Sequence, residues 1–583
     1  MYQHDSHSAL YRSPLGPVAA GSSVTLRIRA DEARAVLLRV WDGEEDFYDM
    51  FQVEEGLWET KADILSHPGL AWYDFIIQPQ EGHAIRYGAP DDGLGGEGDL
   101  YQHGLHSYQL TVYDPKYRTP EWMHGASIYQ IFPDRFRKAP TESVDRRTNR
   151  RMHKEWEEDF FPNKQGENGS MDFWGGTLNG IREKLPYIHS LGVTVIYLNP
   201  VFESHCNHRY DTADYTRVDP LLGTNEELEA LFREAEALGM RVILDGVFSH
   251  TGSDSLYFNA AGNYPTVGAA QSVESPYYPW YTFEHWPDKY RCWWGVTSMP
   301  ELRKDNRDYQ HFMFNQESGI VPRWLKAGAA GWRLDVADEL TMDFLRKLRR
   351  SAKRVSRNAL VLGEVWEDAS NKVAYDEMRC YCCGDTLDSV MNYPLRTAIL
   401  DFITGESDAY DFVRLVEHQR EVYPAPFRYA LMNLVGSHDR ARALNVLVGR
   451  EGKDLSKADQ AKLRLTPDEY ALAVKRYKLC VDLLCALPGC PTIYYGDEAG
   501  LIGPPDPYNR KPFPWGHEDQ ELQKYVSARL SHHRESEVLQ RGWCEISAPD
   551  ADTVRIERFL EGDTDALGQR THARGREVFT IRR

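Results

Sequence analysis

The segments VTVIYLNP (Val193–Pro200), NEELEALFREAEALGM (Asn225–Met240) and RVILDGVF (Arg241–Phe248) set a strand–helix–strand rhythm. Two apolar runs of strand length flank an amphipathic helical pattern that stops near Gly239. A strand, a crossover helix and a second strand make a parallel pair with a right-handed connection. The rhythm extends in both directions. IYQIFP (Ile128–Pro133) and a helical spacing over LNGIREKLPYIHSLGV (Leu178–Val193) precede it. GWRLDV, ALVLGEVW, LDSVMNYP, YALMNLVG and PTIYYGDE follow, from Gly331 to Glu498. Eight such strands alternating with helices predict an α/β fold, a closed (β/α)8 TIM barrel over residues 120–530, with its site at the C-terminal ends of the strands.

The flanks read differently. Residues 1–115 carry strand-sized runs such as SVTLRIRA (Ser23–Ala30), AVLLRVWD (Ala35–Asp42) and LAWYDFIIQP (Leu70–Pro79), which predict an N-terminal β-sandwich. Residues 251–306 interrupt the alternation after the third barrel strand with SPYYPWYTFEHWPDKYRCWWG and similar sequence. Such aromatic density argues against disorder and predicts a small inserted domain over the barrel mouth. Residues 535–583 turn β-like again and predict a short C-terminal β domain, thin for an independent core.

At 583 residues the chain exceeds a single core. Its formal charge of −20 repels phosphates, which argues against nucleic acid and anionic membranes and favours a neutral ligand. The first residues lack a basic start followed by an apolar core, and no apolar run reaches membrane-spanning length. The nine cysteines are read as holding neither a C-x-x-C pair nor a His partner for zinc, and as reduced, mostly buried thiols. The expected location is therefore cytoplasmic.

Acids cluster at the strand ends. Asp335 follows Arg333 by two residues, so both point to one face, and the arginine would keep the carboxylate ionised as a nucleophile. Glu364 lies in an apolar strand, surroundings that would keep it protonated as a general acid. Asp439 follows His438, and both can hydrogen-bond sugar hydroxyls. Each alone has a structural explanation: an ion pair, a barrel-mouth glutamate or a helix cap. Three together at successive strand ends point to cleavage of a sugar–sugar bond.

The segments DGVFSH (Asp245–His250), GWRLDVADE (Gly331–Glu339), LGEVWE (Leu362–Glu367) and GSHD (Gly436–Asp439), in this order, resemble the four signatures of the α-amylase family, glycoside hydrolase family 13. GVTVIYLNPVF, HRYDTADY and GCPTIYYGDEAG support the resemblance, which covers about Ala126 to Gly503. It implies that Asp335 is the nucleophile, Glu364 the general acid/base and Asp439 the residue that binds and distorts the sugar. It further implies that Arg333 orients Asp335, that His250, His438 and Asp245 serve the same subsite, and that Tyr210 stacks on the sugar ring. Trp366 and Glu367 would bind substrate, with Glu367 on the acceptor side. Sugar platforms are the functional reading of Trp286, Trp293 and Trp294 of the insert, and a hydrophobic mini-core is the favoured reading for at least one of the last two.

YQIFPDRF, MPEL and the N-terminal β domain place the resemblance in the neopullulanase, cyclomaltodextrinase, maltogenic amylase and amylopullulanase branch. The implied partner is an α-glucan oligosaccharide, cut at α-1,4 and in some members also α-1,6 bonds with retention. The N-terminal domain resembles a starch-binding-type module, with packing or homodimer formation as its alternative role. Ser249 stands where the family usually has Asn, RKAP follows PDRF, and NGSMD (Asn168–Asp172) offers few oxygens, so no metal or cofactor is required and calcium is not expected. Glu367, where neopullulanases often carry His, leans toward amylopullulanases. Two other readings are a transglycosylase or isomerase on the same barrel and a non-catalytic glucan-binding protein.

Overall fold

SVTLRIRA alternates buried and half-exposed residues along its whole length, and its buried set Val24, Leu26, Ile28 and Ala30 faces a second sheet. A computed structural model describes residues 1–63, 66–145, 147, 150–158 and 169–583. In it the N-terminal strands form one five-stranded and one seven-stranded sheet. Between them pack Val36, Leu38, Tyr73, Phe75, Ile77 and Tyr108, which makes this part a β-sandwich.

Eight parallel strands follow: Ile128–Ile131, Val195–Leu198, Arg241–Gly246, Gly331–Leu334, Leu360–Gly363, Ser389–Val390, Met432–Leu434 and Cys490–Tyr494. Parallel bridging of Met391 with Met432 closes the ring between the sixth and seventh. Alternation explains why these runs read as continuously apolar. Val195 and Tyr197 fill the interior with Ile243, Leu360, Leu362 and Met432. Ile196 and Leu198 point outward to the helices with Val242, Leu244, Trp332 and Val361. The helix at Asn225–Ala237 starts with a capping box between Thr224 and Glu227. The helical spacing over Leu178–Val193 resolves into two short helices, Leu178–Glu183 and Leu185–Ser190. Pro186 stands at the start of the second, where its missing N–H costs nothing.

The insert bridges back to the barrel at His250 and Glu301. Tyr257, Phe258, Trp280 and Tyr281 form its buried aromatic core. The C-terminal sheet, Trp543–Asp550, Thr553–Leu560 and Gly575–Arg582, is thin, and it borrows its anchor. The buried Arg558 guanidinium donates to the carbonyls of Ala486, Leu539 and Gly542.

One sequence expectation is corrected. Cys380 and Cys383 form a disulfide, and the other seven cysteines are free. Their three-residue separation was obscured by Cys382 between them. The inference of a reducing compartment therefore loses the support it took from free thiols. Among the described residues no helix is long and apolar enough to cross a membrane.

The sandwich docks through a buried charge. Glu421, on the barrel helix Ala409–Val422, pairs with Arg12 at 2.8 Å and His7 at 2.9 Å. Burial alone would raise its carboxyl; His7 and Arg12 reverse that and hold it low. Glu421→Gln leaves Arg12 buried without its counter-charge, and a loss of about 3–5 kcal/mol is expected. Denaturant unfolding followed by a sandwich probe and a barrel probe measures it. A loss below about 1 kcal/mol, the range of an exposed pair, would place the docking energy elsewhere.

Candidate active site

The C-terminal ends of the strands deliver the polar residues into one place, because a barrel points all eight ends the same way. The fourth strand carries Arg333, which is fully buried. Its Nη1 donates to Asp335 at 3.0 Å and to Asp245, on the third strand, at 2.8 Å. Its Nη2 lies 2.8 Å from Glu364 Oε2, just past the fifth strand, as an ion pair without hydrogen-bond alignment. One guanidinium therefore serves three carboxylates. Glu364 Oε2 also accepts the Val336 N–H at 2.8 Å. Val336 holds a left-handed backbone, φ +36°, a strained choice for a β-branched residue that costs about 1–3 kcal/mol. That strain turns its amide toward Glu364.

A second network fixes Tyr197 and Tyr210. Tyr210 Oη donates to Asp245 Oδ2 at 2.9 Å, and Tyr197 Oη reaches the same oxygen at 2.6 Å. Gln130 Nε2 donates to His438 Nδ1 at 2.8 Å, so the ring's proton sits on Nε2, facing Tyr210 Oη at 2.5 Å and Asp439 at 3.2 Å. Burial, with Arg510 and Arg333 nearby, pushes His438 well below its usual range and keeps it neutral. His250 is lowered to about 4, chiefly by burial. Its Nε2 faces the Tyr210 carbonyl at 3.0 Å and its Nδ1 faces Ser249 Oγ at 2.8 Å.

Burial raises Asp245 and Asp335, and it lifts Asp439 to about 7, with Glu364 pushing the same way. Arg333 opposes all three, and Arg510, 3.7 Å from Asp439, opposes the last. Asp245, Asp335 and Asp439, all raised, retain a proton near neutrality, and that proton belongs to the group rather than to one member. This differs from the simple expectation of an ionised Asp335 beside its own arginine. Arg333 divides its charge three ways, and Glu364 faces that cation instead of an apolar wall.

Above the cluster opens a cleft of about 720 Å³. Asp335, Glu364, Asp439, His250, Tyr210, Trp366 and Glu367 line it. Arg333, Asp245 and His438 are buried beneath as supports. Trp286 does not reach it; its indole donates to the Ala269 carbonyl within the insert. Trp293 and Trp294 take that place, 5.5 Å apart and nearly parallel, and Trp294 is 78% exposed. The mini-core role falls to Trp280 instead. Trp366 stacks on Tyr393 at 3.9 Å, which fixes its plane. Glu367 pairs with Lys372 at the rim. A neighbouring recess of about 810 Å³ lies behind Glu339 and Tyr375 but holds no such convergence of acids on a buried cation.

Sequence reading missed Gln130, Asn199 and Tyr197, all inside the segments YQIFP and VIYLNP. A polar side chain within an apolar strand was their signal. Arg510, from an irregular loop, had none.

The oxygens considered for calcium do not fit a cation. Asn168 lies outside the described residues. The carbonyls of Gly169 and Asp172 both accept from Asn207 Nδ2 at 2.7 Å. The Asp172 carboxylate meets Arg151 at 2.8 Å and His153 at 2.9 Å. Calcium takes about six to eight oxygens, and these are already held by N–H donors. Cys206, His208 and Asp211 bring donor atoms within 4.8 Å of one another. The Asp211 carboxylate there already accepts from Ser204 Oγ and from the amides of His205 and Cys206.

The chain is similar to known proteins over most of its length. Residues 130–540 match the catalytic domain of alpha-amylase. An amylopullulanase of Thermoanaerobacterium saccharolyticum is 37% identical across 97% of this chain and 47% of its own length. The chain thus spans less than half of that relative. Neopullulanase 2 of Thermoactinomyces vulgaris is 32% identical over 77% of this chain and 68% of its own. Among solved structures, the cyclic alpha-maltosyl-(1→6)-maltose hydrolase of Arthrobacter globiformis aligns with TM-score 0.64 and 30% identity, covering 77% of this chain and 91% of that one. The type III pullulan hydrolase of Thermococcus kodakarensis shares the fold over 96% of this chain and 94% of its own, at TM-score 0.65 and 24% identity. A catalytic-domain match over most of the chain, on a barrel whose strand ends gather these carboxylates, identifies the protein as a member of the alpha-amylase family.

Proposed function

We propose that this protein is a retaining hydrolase of α-glucans, acting on α-1,4 and also α-1,6 bonds in malto-oligosaccharides, cyclodextrins or pullulan. One observation carries the reading: Asp335 and Glu364 are held side by side on one buried guanidinium at the floor of an aromatic cleft. Two carboxyl groups gripped by one guanidinium suit a glycosyl-enzyme route, in which one attacks while the other handles the proton. Asp335 attacks the anomeric carbon. Glu364 gives its proton to the departing oxygen, then takes one from the incoming water. Asp439, at the opposite rim, holds the sugar's hydroxyls as the ring flattens. Tyr210, locked by Asp245 and His438, offers a fixed face for that ring.

The relatives' names support the substrate class, since amylopullulanase, neopullulanase and cyclomaltodextrinase all appear among them. Water is favoured as acceptor over a second sugar because relatives and structural neighbours carry the names of hydrolases. Calcium is not needed, because the oxygens of the NGSMD segment are already held by protein donors.

Pullulan digestion tests the reading: panose marks α-1,4 cleavage and maltotriose α-1,6 cleavage. Glu364→Gln is expected to lower kcat about 10²–10⁴-fold, the scale of general-acid catalysis. A wild-type chain releasing no sugar from maltotriose, β-cyclodextrin or pullulan would sink the proposal.

The cluster's shared proton sets the alkaline limit. A carboxyl raised to about 7 keeps its proton below that pH and loses it above. The rate on maltotriose should therefore fall as pH rises through about 7. Arg510 favours the ionised form of Asp439, so Arg510→Gln should move this limb to higher pH. An unmoved limb would show that the limiting proton lies elsewhere. Incubation with EDTA should change neither melting temperature nor rate; a fall in either, restored by calcium, would reverse the metal reading.

A further inference from the structure

Lys372, Arg440 and Arg510 are cations that line the catalytic cleft. The first and last are matched. Lys372 meets Asp338 and Glu367, and Arg510 meets Asp506 at 2.9 Å and Asp439 at 3.7 Å. Arg440, the residue after Asp439, is different. Among the described residues no carboxylate lies within ion-pair distance of its guanidinium, and its Nε is shut off from solvent without a hydrogen bond. A donor left unpaired is costly, so one in the wall of a binding cleft calls for an explanation.

A ring holds Arg440 in place. Its guanidinium carbon lies 4.3 Å from the centre of the Trp366 ring. Tyr393 stacks on Trp366 at 3.9 Å and 9°. A parallel ring at that distance fills one face of the indole, so the guanidinium covers the other. Trp366 is sandwiched, and only its edge is left for the cleft. The indole attracts the charge but supplies no oxygen for the N–H groups. The backbone is fixed as well, because the Arg440 carbonyl accepts from Asn509 Nδ2 at 2.8 Å.

The cleft lining holds more carboxylates than cations, Asp335, Glu364 and Asp439 among them. An anionic ligand would meet that excess. A neutral sugar does not, and hydroxyls on adjacent carbons offer two oxygens to the paired N–H groups of a guanidinium. With Glu364 as proton donor to the departing oxygen, the sugar that leaves lies on the Glu364 side. Trp366 follows Glu364 by two residues, so Arg440 over Trp366 borders that sugar.

We propose that Arg440 is a specificity-determining residue that donates to the neighbouring 2- and 3-hydroxyls of the glucosyl unit on the leaving side of the cleaved bond. Trp366 is then its support and not itself a sugar platform. The assignment rests on the α-glucan hydrolase reading.

Maltotriose is compared with the analogue whose reducing-end unit is 2-deoxyglucose, and the sugar released from that end is measured. In the unmodified chain the analogue should lose about tenfold in kcat/KM, the scale of one hydrogen bond to a charged donor. Arg440→Leu, which still covers Trp366, should lose about tenfold on maltotriose and no longer distinguish the analogue. Arg440→Lys keeps the charge but not the fork and should fall between. A merely structural role would lower both substrates alike and leave the tenfold gap intact. Turnover of maltotriose with that gap persisting in both variants therefore overturns the proposal and spares the hydrolase reading. Inhibition of the unmodified chain by inorganic phosphate, relieved by Arg440→Leu, shows an anion site and also overturns it. A chain that releases no sugar fails the hydrolase reading, and the same comparisons read as Kd by calorimetry still decide the contact.

Discussion

Arg333 has no contact with solvent, yet its terminal nitrogens meet Asp245, Asp335 and Glu364 within 3.0 Å. A buried guanidinium is tolerated only with partners, and buried carboxylates only with a cation or a proton. Each side of this arrangement therefore requires the other. Three different strand ends supply the acids, so the barrel must close in register for the charges to balance. Any loosening that separated the third, fourth and fifth strands would strand a charge in the interior. The same contact that gathers the reacting groups thus also penalises misassembly of the strands that carry them.

The balance is incomplete, and chemistry depends on the remainder. With Asp439 on the rim there are more carboxylates than arginines, and burial raises Asp245, Asp335 and Asp439 together. A proton held collectively near neutrality is what a site needs if one acid must donate while its neighbour attacks. The neutral histidines suit this. His438 and His250, both lowered by burial, hold positions through hydrogen bonds without adding positive charge that would drain the shared proton.

Much of this was legible because strand periodicity is local. The alternation of Val195, Ile196, Tyr197 and Leu198 between barrel interior and helix layer is a property of one strand, and an acid just after such a run must stand at the barrel mouth. Asp335, Glu364 and Asp439 could be placed that way. What a residue's neighbours are is not local. Glu364 read as an acid in apolar surroundings because the arginine it meets lies on the neighbouring strand. Trp286 and Trp293 are equivalent in composition and differ only in how the insert folds, one turned to the Ala269 carbonyl and the other to the cleft. Cys380 and Cys383 needed a turn to bring them together. Gln130 and Asn199 were visible as polar residues in apolar runs, but Gln130 acts on His438, 308 positions away, and Asn199 on Gln130 and Tyr210.

The appended domains follow the same logic as the centre. The sandwich is tied by Glu421 between Arg12 and His7, and the C-terminal sheet by Arg558 on three carbonyls. Apolar packing is forgiving of small rotations, because it lacks direction. A buried ion pair or a saturated guanidinium is not, because a shift of an ångström leaves a polar group unpaired. Domains docked this way hold a fixed orientation, and only a fixed orientation can keep Gln109 of the sandwich bonded to Ser370 and Asn371 of the barrel. The segment that receives Gln109, Ser370–Asn371, continues into Lys372, which pairs with Asp338 and Glu367 at the cleft rim. A displacement of the sandwich would therefore pull on the rim of the cleft through three consecutive residues, which makes the docking geometry part of the site's shape.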